Sequence, residues 1–330
     1  PRRPSLRIVR GGSGAENLMP HAIVFGILAA FLIVLGLVFP WLEFVFILAL
    51  GKGFAALGVA LLLRAGLISI GHALYFAFGA YLTAFLSRRG HINDLASLLV
   101  IATLASALIG FLIGAFMVRY RAIFFAMLNL ALSMVFFSLL SKLYSTTGGT
   151  DGMRVTMPTI FGVAVDRSTM EDILLYGSLA MMAAVVYAVH RYLDSPLGQA
   201  LSAVHTNELR LEYLWISVWR VLLTAYGISA GLAGLGGALT AFAIGHVLPE
   251  MSYWTMSGQL VLIAVLGGVG GAIGPFVGAV FFEIVHTLAV GYVAEAWNLI
   301  IGITLIVVIF FLPGGLYGLV QILFGKQSVK

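Results

Sequence analysis

Along this chain, stretches of about 20 residues are almost wholly apolar: 21–39, 44–63, 69–87, 95–118, 122–141, 172–190, 221–244, 272–290 and 296–312. About 20 helical residues cross the hydrocarbon of a bilayer, so each run predicts a membrane-spanning helix. A further run, 258–266, is too short to span alone. It predicts a half-helix, or the start of a broken span that resumes after Gly274-Pro275. The pattern therefore predicts an all-α, polytopic helix bundle of about 9 to 10 spans, counting broken and half helices. By segments, 1–20 is a basic N-terminal stretch, 21–320 a transmembrane domain interrupted by a polar segment at 191–220, and 321–330 a short tail.

Basic residues orient the bundle. With both termini and the 191–220 segment in the cytoplasm, Arg2, Arg3, Arg7, Arg10, Arg64, Arg119, Arg121, Arg191, Arg210, Arg220, Lys326 and Lys330 lie inside. Arg88, Arg89, Lys142, Arg154 and Arg167 remain outside, and Lys52 falls within a span. That is the bias membrane insertion prefers, so the expectation is cytoplasmic termini. The segment 1–20 has no initiator Met, so the start is expected to be trimmed. No small-residue cleavage site follows the first apolar run, which is read as a retained span.

Composition strengthens this reading: 61% of residues are hydrophobic, mean hydropathy is +1.08, and only 9% are charged. The 39 glycines suit helices that approach backbone to backbone in lipid. The absence of Cys excludes disulfides, thiol catalysis and thiolate metal sites. A pI near 9.5 is explained by cytoplasmic Lys and Arg rather than by nucleic-acid binding.

Two glycine clusters break the helical pattern. "RAGLISIGHALYFAFGAY" (64–81) and "LGGVGGAIGPFVGAVFF" (266–282) each place flexible backbone before a helix, and the two resemble a weak internal repeat. Unwound backbone at membrane depth survives only where protein or a water-filled cavity satisfies it, so the breaks point to a path. Ser69, Gly71, His72 and Tyr75 line the first expected stretch of it, and Gly268, Gly271 and Gly274 the second. At the first, Ser69 and Gly71 stand at a helix N-terminus, whose free amides suit a carboxylate or carbonyl oxygen. At the second, Pro275 fits the first helical position. The same glycines also suit close packing alone.

Lys52, Glu283, His72, His286 and Asn129 are polar groups within spans, where a charge costs about 2.5 to 3.5 kcal/mol to insert. Lys52 and Glu283 can pair in the bundle. No HExxH, GxSxG or phosphate loop occurs, so an intramembrane enzyme is not expected, nor any metal or cofactor. The loop "STTGGTDGM" (145–153), with Thr147, Gly148, Gly149 and Asp151, predicts successive tight turns at the outer mouth, where a substrate or docking partner arrives.

The polar segment contains "SPLGQALSAVHTNELRLEYLWISVWR" (195–220). Ser195-Pro196 is a helix start, and Thr206 or Asn207 can cap a second short helix with Glu208 in its first turn. Leu209, Tyr213 and Leu214 then offer an apolar face, with Glu208, Arg210 and Glu212 as polar neighbours. An amphipathic helix lying on lipid head groups would look the same.

Taken together, "GLISIGHALYFAFGAY", "TGGTDGM", the 195–239 segment, "LGGVGGAIGPFVGA" and "LPGGLYGLV" resemble the permease subunits of high-affinity branched-chain amino-acid ABC importers, specifically the longer of the two homologous permeases. The resemblance covers roughly 66–320. It departs at His205-Thr206-Asn207-Glu208, where many members have an Arg followed by acidic and Asn positions, and at Trp215, where a Gly is common.

The resemblance implies a non-catalytic translocating subunit of the type II-like importer architecture in a bacterial inner membrane. Its implied partners are a homologous permease, two cytoplasmic ATPases and a periplasmic binding protein. It makes 191–220 a coupling loop, with Asn207, Glu208, Leu209, Arg210, Tyr213 and Leu214 meeting an ATPase groove. Branched-chain or other hydrophobic amino acids are the implied cargo. Urea, short amides and aromatic acids are alternatives within the same architecture. An ion-coupled secondary carrier using Lys52 and Glu283, and after it a passive channel, are the different-class alternatives.

Overall fold

The structure is a computed structural model describing residues 26–36, 38–39, 41–90, 92–160, 162–293, 295–312 and 314–318. The 1–20 segment, the first residues of the first apolar run and the 321–330 tail lie outside the described residues. Helices follow in the order α1 (Gly26–Gly36), α2 (Trp41–Arg64), α3 (Ala73–Arg89), α4 (Leu95–Met117), α5 (Ala122–Lys142) and α6 (Tyr144–Thr147). They continue with α7 (Arg167–Asp194), α8 (Pro196–Thr206), α9 (Glu208–Tyr213), α10 (Val218–Ile244), α11 (Trp254–Gly267), α12 (Gly274–Tyr292) and α13 (Trp297–Phe311). A two-residue antiparallel ladder pairs β1 (Met153–Arg154) with β2 (His246–Val247). Among the described residues six helices, α2, α4, α5, α7, α10 and α12, are long and apolar enough to cross a membrane, and the chain is an all-α polytopic bundle.

The bundle is organised around α2 and α10. Across the spanning stretch of each, 89% of residues are buried, against 22% for α5 and 33% for α4. Small residues decide this. A Cβ on Gly58 would stand 2.5 Å from Ser229 O, and one on Gly236 would stand 2.1 Å from Gly51 O, so α2 and α10 run antiparallel with backbones in contact. On its other sides α10 admits α4, where Gly110 meets Ala230, and α3, where Gly79 meets the carbonyl of Gly234. Between helices already in lipid, burying apolar area contributes little, and close backbone approach is what gains dispersion energy.

The expected half-helix is α11. At 14 residues it extends about 21 Å, less than a bilayer core. It folds back on α12 as a tight antiparallel pair: Gly267 lies against Gly274, and Gly278 against Ile263. The apolar run that begins at residue 69 becomes helical only at Ala73, because Ala65–His72 is turn and irregular backbone. The polar segment forms two capped helices. Ser195 Oγ accepts from Gly198 N ahead of α8, and Asn207 Oδ1 accepts from Arg210 N ahead of α9, so Asn207 rather than Thr206 caps the second.

Candidate functional site

The first glycine break is the centre of a buried polar network. α2 stops at Arg64, and the chain crosses Ser69, Gly71 and His72 before α3 starts. His72 is held on both ring nitrogens: Nδ1 lies 2.7 Å from Ser69 Oγ, and Nε2 lies 2.5 Å from Ser229 Oγ on α10. The first amide of α3, Ala73 N, donates to Ser257 Oγ on α11 at 2.9 Å. One turn on, Tyr75 OH donates to Tyr226 OH at 3.0 Å, and Tyr226 OH donates to Asn129 Oδ1 on α5 at 2.5 Å. Asn129 Nδ2 in turn donates to Phe125 O. Helices α3, α5, α10 and α11 are thus joined at one place, around the edge-to-face rings of His72, Tyr75 and Tyr226.

Ser69, His72, Tyr75, Tyr226 and Ser229 are each 0% exposed, so in this conformation the break is shut. Gly71 seals it further: a Cβ there would stand 2.3 Å from Asn129 O, so the α5 backbone lies directly on the turn. Sequence reasoning singled out Ser69, His72, Tyr75 and Asn129 but missed the groups on α10 and α11 that join them, Tyr226, Ser229 and Ser257. Ser229 and Ser257 sit inside runs rich in small residues, where a serine reads as one more packing residue.

The second break is closed by different groups. Gly268 adopts φ +94°, and a Cβ there would stand 2.5 Å from Gly314 O. Gly271 lies against the ring of Tyr317, and Gly274 against the carbonyl of Gly268. The "GGLYG" stretch (314–318) after α13 thus packs onto the turn between α11 and α12. The two breaks are closed by separate sets of residues.

The TGGTDG loop is built as a folded cap on α5. Thr147 Oγ1 donates to Leu140 O at 2.6 Å, and Gly149 N donates back to Thr147 Oγ1. Gly148 takes φ +77° to end α6. Asp151 accepts from Tyr144 OH at 3.2 Å, and its carbonyl lies 2.9 Å from His246 Nε2, which ties the loop to the end of α10. Beside it a cavity of about 280 Å³ opens, lined by Val155, Thr156, Arg167, Met170, Leu174 and Phe242 among others. None of the sequence-predicted site residues lines it.

At the α8 and α9 end, Leu211 is buried while Leu209, Tyr213, Leu214 and Trp215 are exposed at 65%, 84%, 64% and 97%. The short helix therefore spends one leucine on attachment and turns the rest of its apolar side outward. Arg210 and Glu212 are exposed, whereas Glu208 is half-buried and pairs with Arg121 Nε at 2.7 Å. Arg121 also donates to Val118 O and Tyr120 O, so α9 is tied to the turn between α4 and α5. Residues 87 apart form that pair, and nothing local in the sequence marks it. α9 closes with Trp215 N donating to Glu212 O and Ile216 N to Leu211 O, a Schellman motif that puts Trp215 at φ +60°.

Comparison with known proteins settles the class. The model of the family described as "Branched-chain amino acid transport system / permease component" matches residues 41–309. The chain belongs to this family. It is 31% identical over 274 residues to the high-affinity branched-chain amino acid transport system permease protein LivM of Salmonella typhimurium, and 30% identical to LivM of Escherichia coli. Each match covers 76% of this chain and 64% of the relative, so the chain spans less than two thirds of the length of these relatives. LivH of Escherichia coli, a second permease protein of that transport system, is 26% identical over 183 residues, covering 51% of this chain and 58% of LivH. No solved structure matches. The resemblance to the longer permease is thus borne out, and the described residues of this family member form a helical bundle with six helices long and apolar enough to cross a membrane.

Proposed function

We propose that this chain is one permease subunit of an ATP-binding cassette importer in a bacterial inner membrane, with both termini cytoplasmic. It pairs with a homologous permease, works with two separate ATPase subunits and receives its cargo from a periplasmic binding protein. Branched-chain or other hydrophobic amino acids are the cargo. The chain itself hydrolyses nothing.

The observation that carries this reading is α9: a short helix, capped by Asn207 and anchored by Leu211 and Arg121, that holds Leu209, Tyr213 and Leu214 out of the fold. A rigid apolar face ringed by Arg210 and Glu212 suits a groove on a partner, since anchors buried at the centre of an interface supply most of its affinity. Within the bundle, the substrate carboxylate meets the Ser69–Gly71 turn ahead of α3 when the packing around His72 and Tyr75 loosens. Gly268, Gly271 and Gly274 continue the path at the second break. Thr147, Gly148, Gly149 and Asp151 form the platform where the binding protein arrives.

The test is the double variant L209D/L214D. The ATPases should detach, or remain bound without binding-protein-stimulated hydrolysis, because hot-spot truncations commonly cost 2 kcal/mol or more. A double variant that keeps both its ATPases and its stimulated turnover would leave α9 as an interfacial helix only, and the coupling role would fall.

A further inference from the structure

Helix α8 and the first glycine break share one packing unit. Leu201 and Val204 of α8 are buried together with Ala65 and Leu67, the residues on either side of Gly66. α2 ends there in a Schellman motif: Gly66 N donates to Leu63 O and Leu67 N to Leu62 O, both at 3.0 Å. Gly66 supplies the left-handed residue that this closure needs, at φ +75°. Its missing side chain leaves room for a ring from α8. A Cβ on Gly66 would stand 2.5 Å from His205 Cδ2, so the imidazole edge of His205 rests on the bare Cα.

The segment beyond Gly66 leads directly to the buried network. Leu67–Ser69 is irregular, a turn follows, and three residues after Gly66 the chain reaches Ser69, then His72 with its bond to Ser229 on α10. Such a stretch can re-aim a few dihedrals, whereas α8, held by the buried Leu201 and Val204, moves as a unit and brings the exposed ring of His205 with it. We infer that His205 is a positioning residue of the transport cycle: seated on Gly66, it carries displacement of α8 into the Ser69–His72 turn, and so into release of His72 from Ser229. This rests on the reading that α8 and α9 are moved by an ATPase. The role is steric, so it asks for a ring of this size rather than for a proton or a charge.

Two measurements test it. In proteoliposomes holding the full complex and binding protein, with leucine as the probe, H205A should keep its ATPases and basal hydrolysis. The number of leucines moved per ATP should fall about fivefold or more, the lower end of ordinary coupling between sites. H205F should restore the ratio, because it restores the ring. An unchanged ratio in H205A would overturn the role, and loss of the ATPases in H205A would make His205 a docking residue instead. If the unsubstituted complex moves no leucine, or carries no ATPase, it is the importer reading that fails. The second measurement needs no partner. In the purified chain, H205A should speed hydrogen exchange at 65–72, with exchange in the body of α2 unchanged. G66A, strained at φ +75° and clashing with the ring, should speed exchange in that segment, and should speed it less when H205A is also present, since the added methyl then fills the vacated space. Exchange at 65–72 that ignores both substitutions would overturn the contact as a mechanical link.

Discussion

Lys52 on α2 and Glu283 on α12 form an ion pair inside the bundle, with Nζ 2.7 Å from Oε2 and both side chains nearly out of contact with solvent. The ammonium also lies 5.8 Å from the ring centre of Phe282, and His286 Nδ1 approaches Glu283 Oε1 to 3.9 Å. Each charge is costly alone at this depth and is compensated by the other, so the pair fixes the register of two helices. Removing one partner, in K52M or E283Q, should lower stability by about 3 kcal/mol, while K52M/E283Q should recover most of that loss. Thermal unfolding in detergent checks this. Additive losses in the double variant would deny the coupling. A double variant that stays folded and assembled but no longer transports would favour the ion-coupled carrier.

Gly71 should not tolerate enlargement. A Cβ there meets Asn129 O at 2.3 Å, so G71A must push α5 away from the turn at a cost of about 1 to 3 kcal/mol. G71V adds a branched side chain at the same place. Uptake and unfolding temperature should fall together along the series Gly, Ala, Val. Normal uptake by G71V would place the path elsewhere.

The amide-rich turn predicts which ligands compete. If a carboxylate meets Ser69–Gly71, leucine should compete for uptake and leucinamide should not, because a neutral amide lacks the charge that the helix N-terminus favours. Equal competition by acid and amide, or competition by urea, would argue for another cargo of the same architecture.

Trp215 stands where backbone geometry favours glycine or asparagine. Its φ of +60° costs roughly 1 to 2 kcal/mol for an ordinary side chain, and at 97% exposure it gains almost no packing in return within this chain. W215N should therefore raise the unfolding temperature of the isolated chain, by an amount worth about 1 kcal/mol. If the exposed ring is held out for an ATPase, the same variant should bind that partner less well. Lower stability in W215N would show that the tryptophan is retained for packing.

The Arg121–Glu208 pair is about one third exposed on both sides, so E208Q should change stability by less than about 1 kcal/mol and the change should vanish in high salt. A loss of several kcal/mol in that variant would mean the pair is buried in the assembled state.

The spans were legible because about 20 consecutive apolar residues have one physical reading. The caps at Ser195 and Asn207 and the Lys52–Glu283 pair were legible for similar reasons, since a local hydrogen-bond rule and an insertion cost each single out particular residues. Which helix lies inside was not. α4 is the most apolar long helix yet stays largely exposed, while α10 is among the least apolar and is buried almost throughout. Lipid accepts apolar side chains as readily as protein does, so hydropathy cannot sort interior from periphery, and the glycine and serine pattern of α10 does so instead. The Ser229, Ser257 and Tyr226 partners of the first break were hidden for that same reason. The placement of Arg121 beside Glu208 is a tertiary fact with no local trace.

The burial of α10 against α2 and α4 also dictates an order of assembly during synthesis. α2, α3 and α4 leave the ribosome well before residue 218, yet the surfaces of α2 at Gly51 and Gly58, and of α4 at Gly110, are shaped to receive a helix that does not yet exist. Until α10 arrives, the glycine faces of α2 and α4 that it covers lack the partner they meet in the finished fold. A nascent chain stalled before α10 is therefore a set of spans without its keystone, the kind of half-built substrate that membrane quality-control proteases remove.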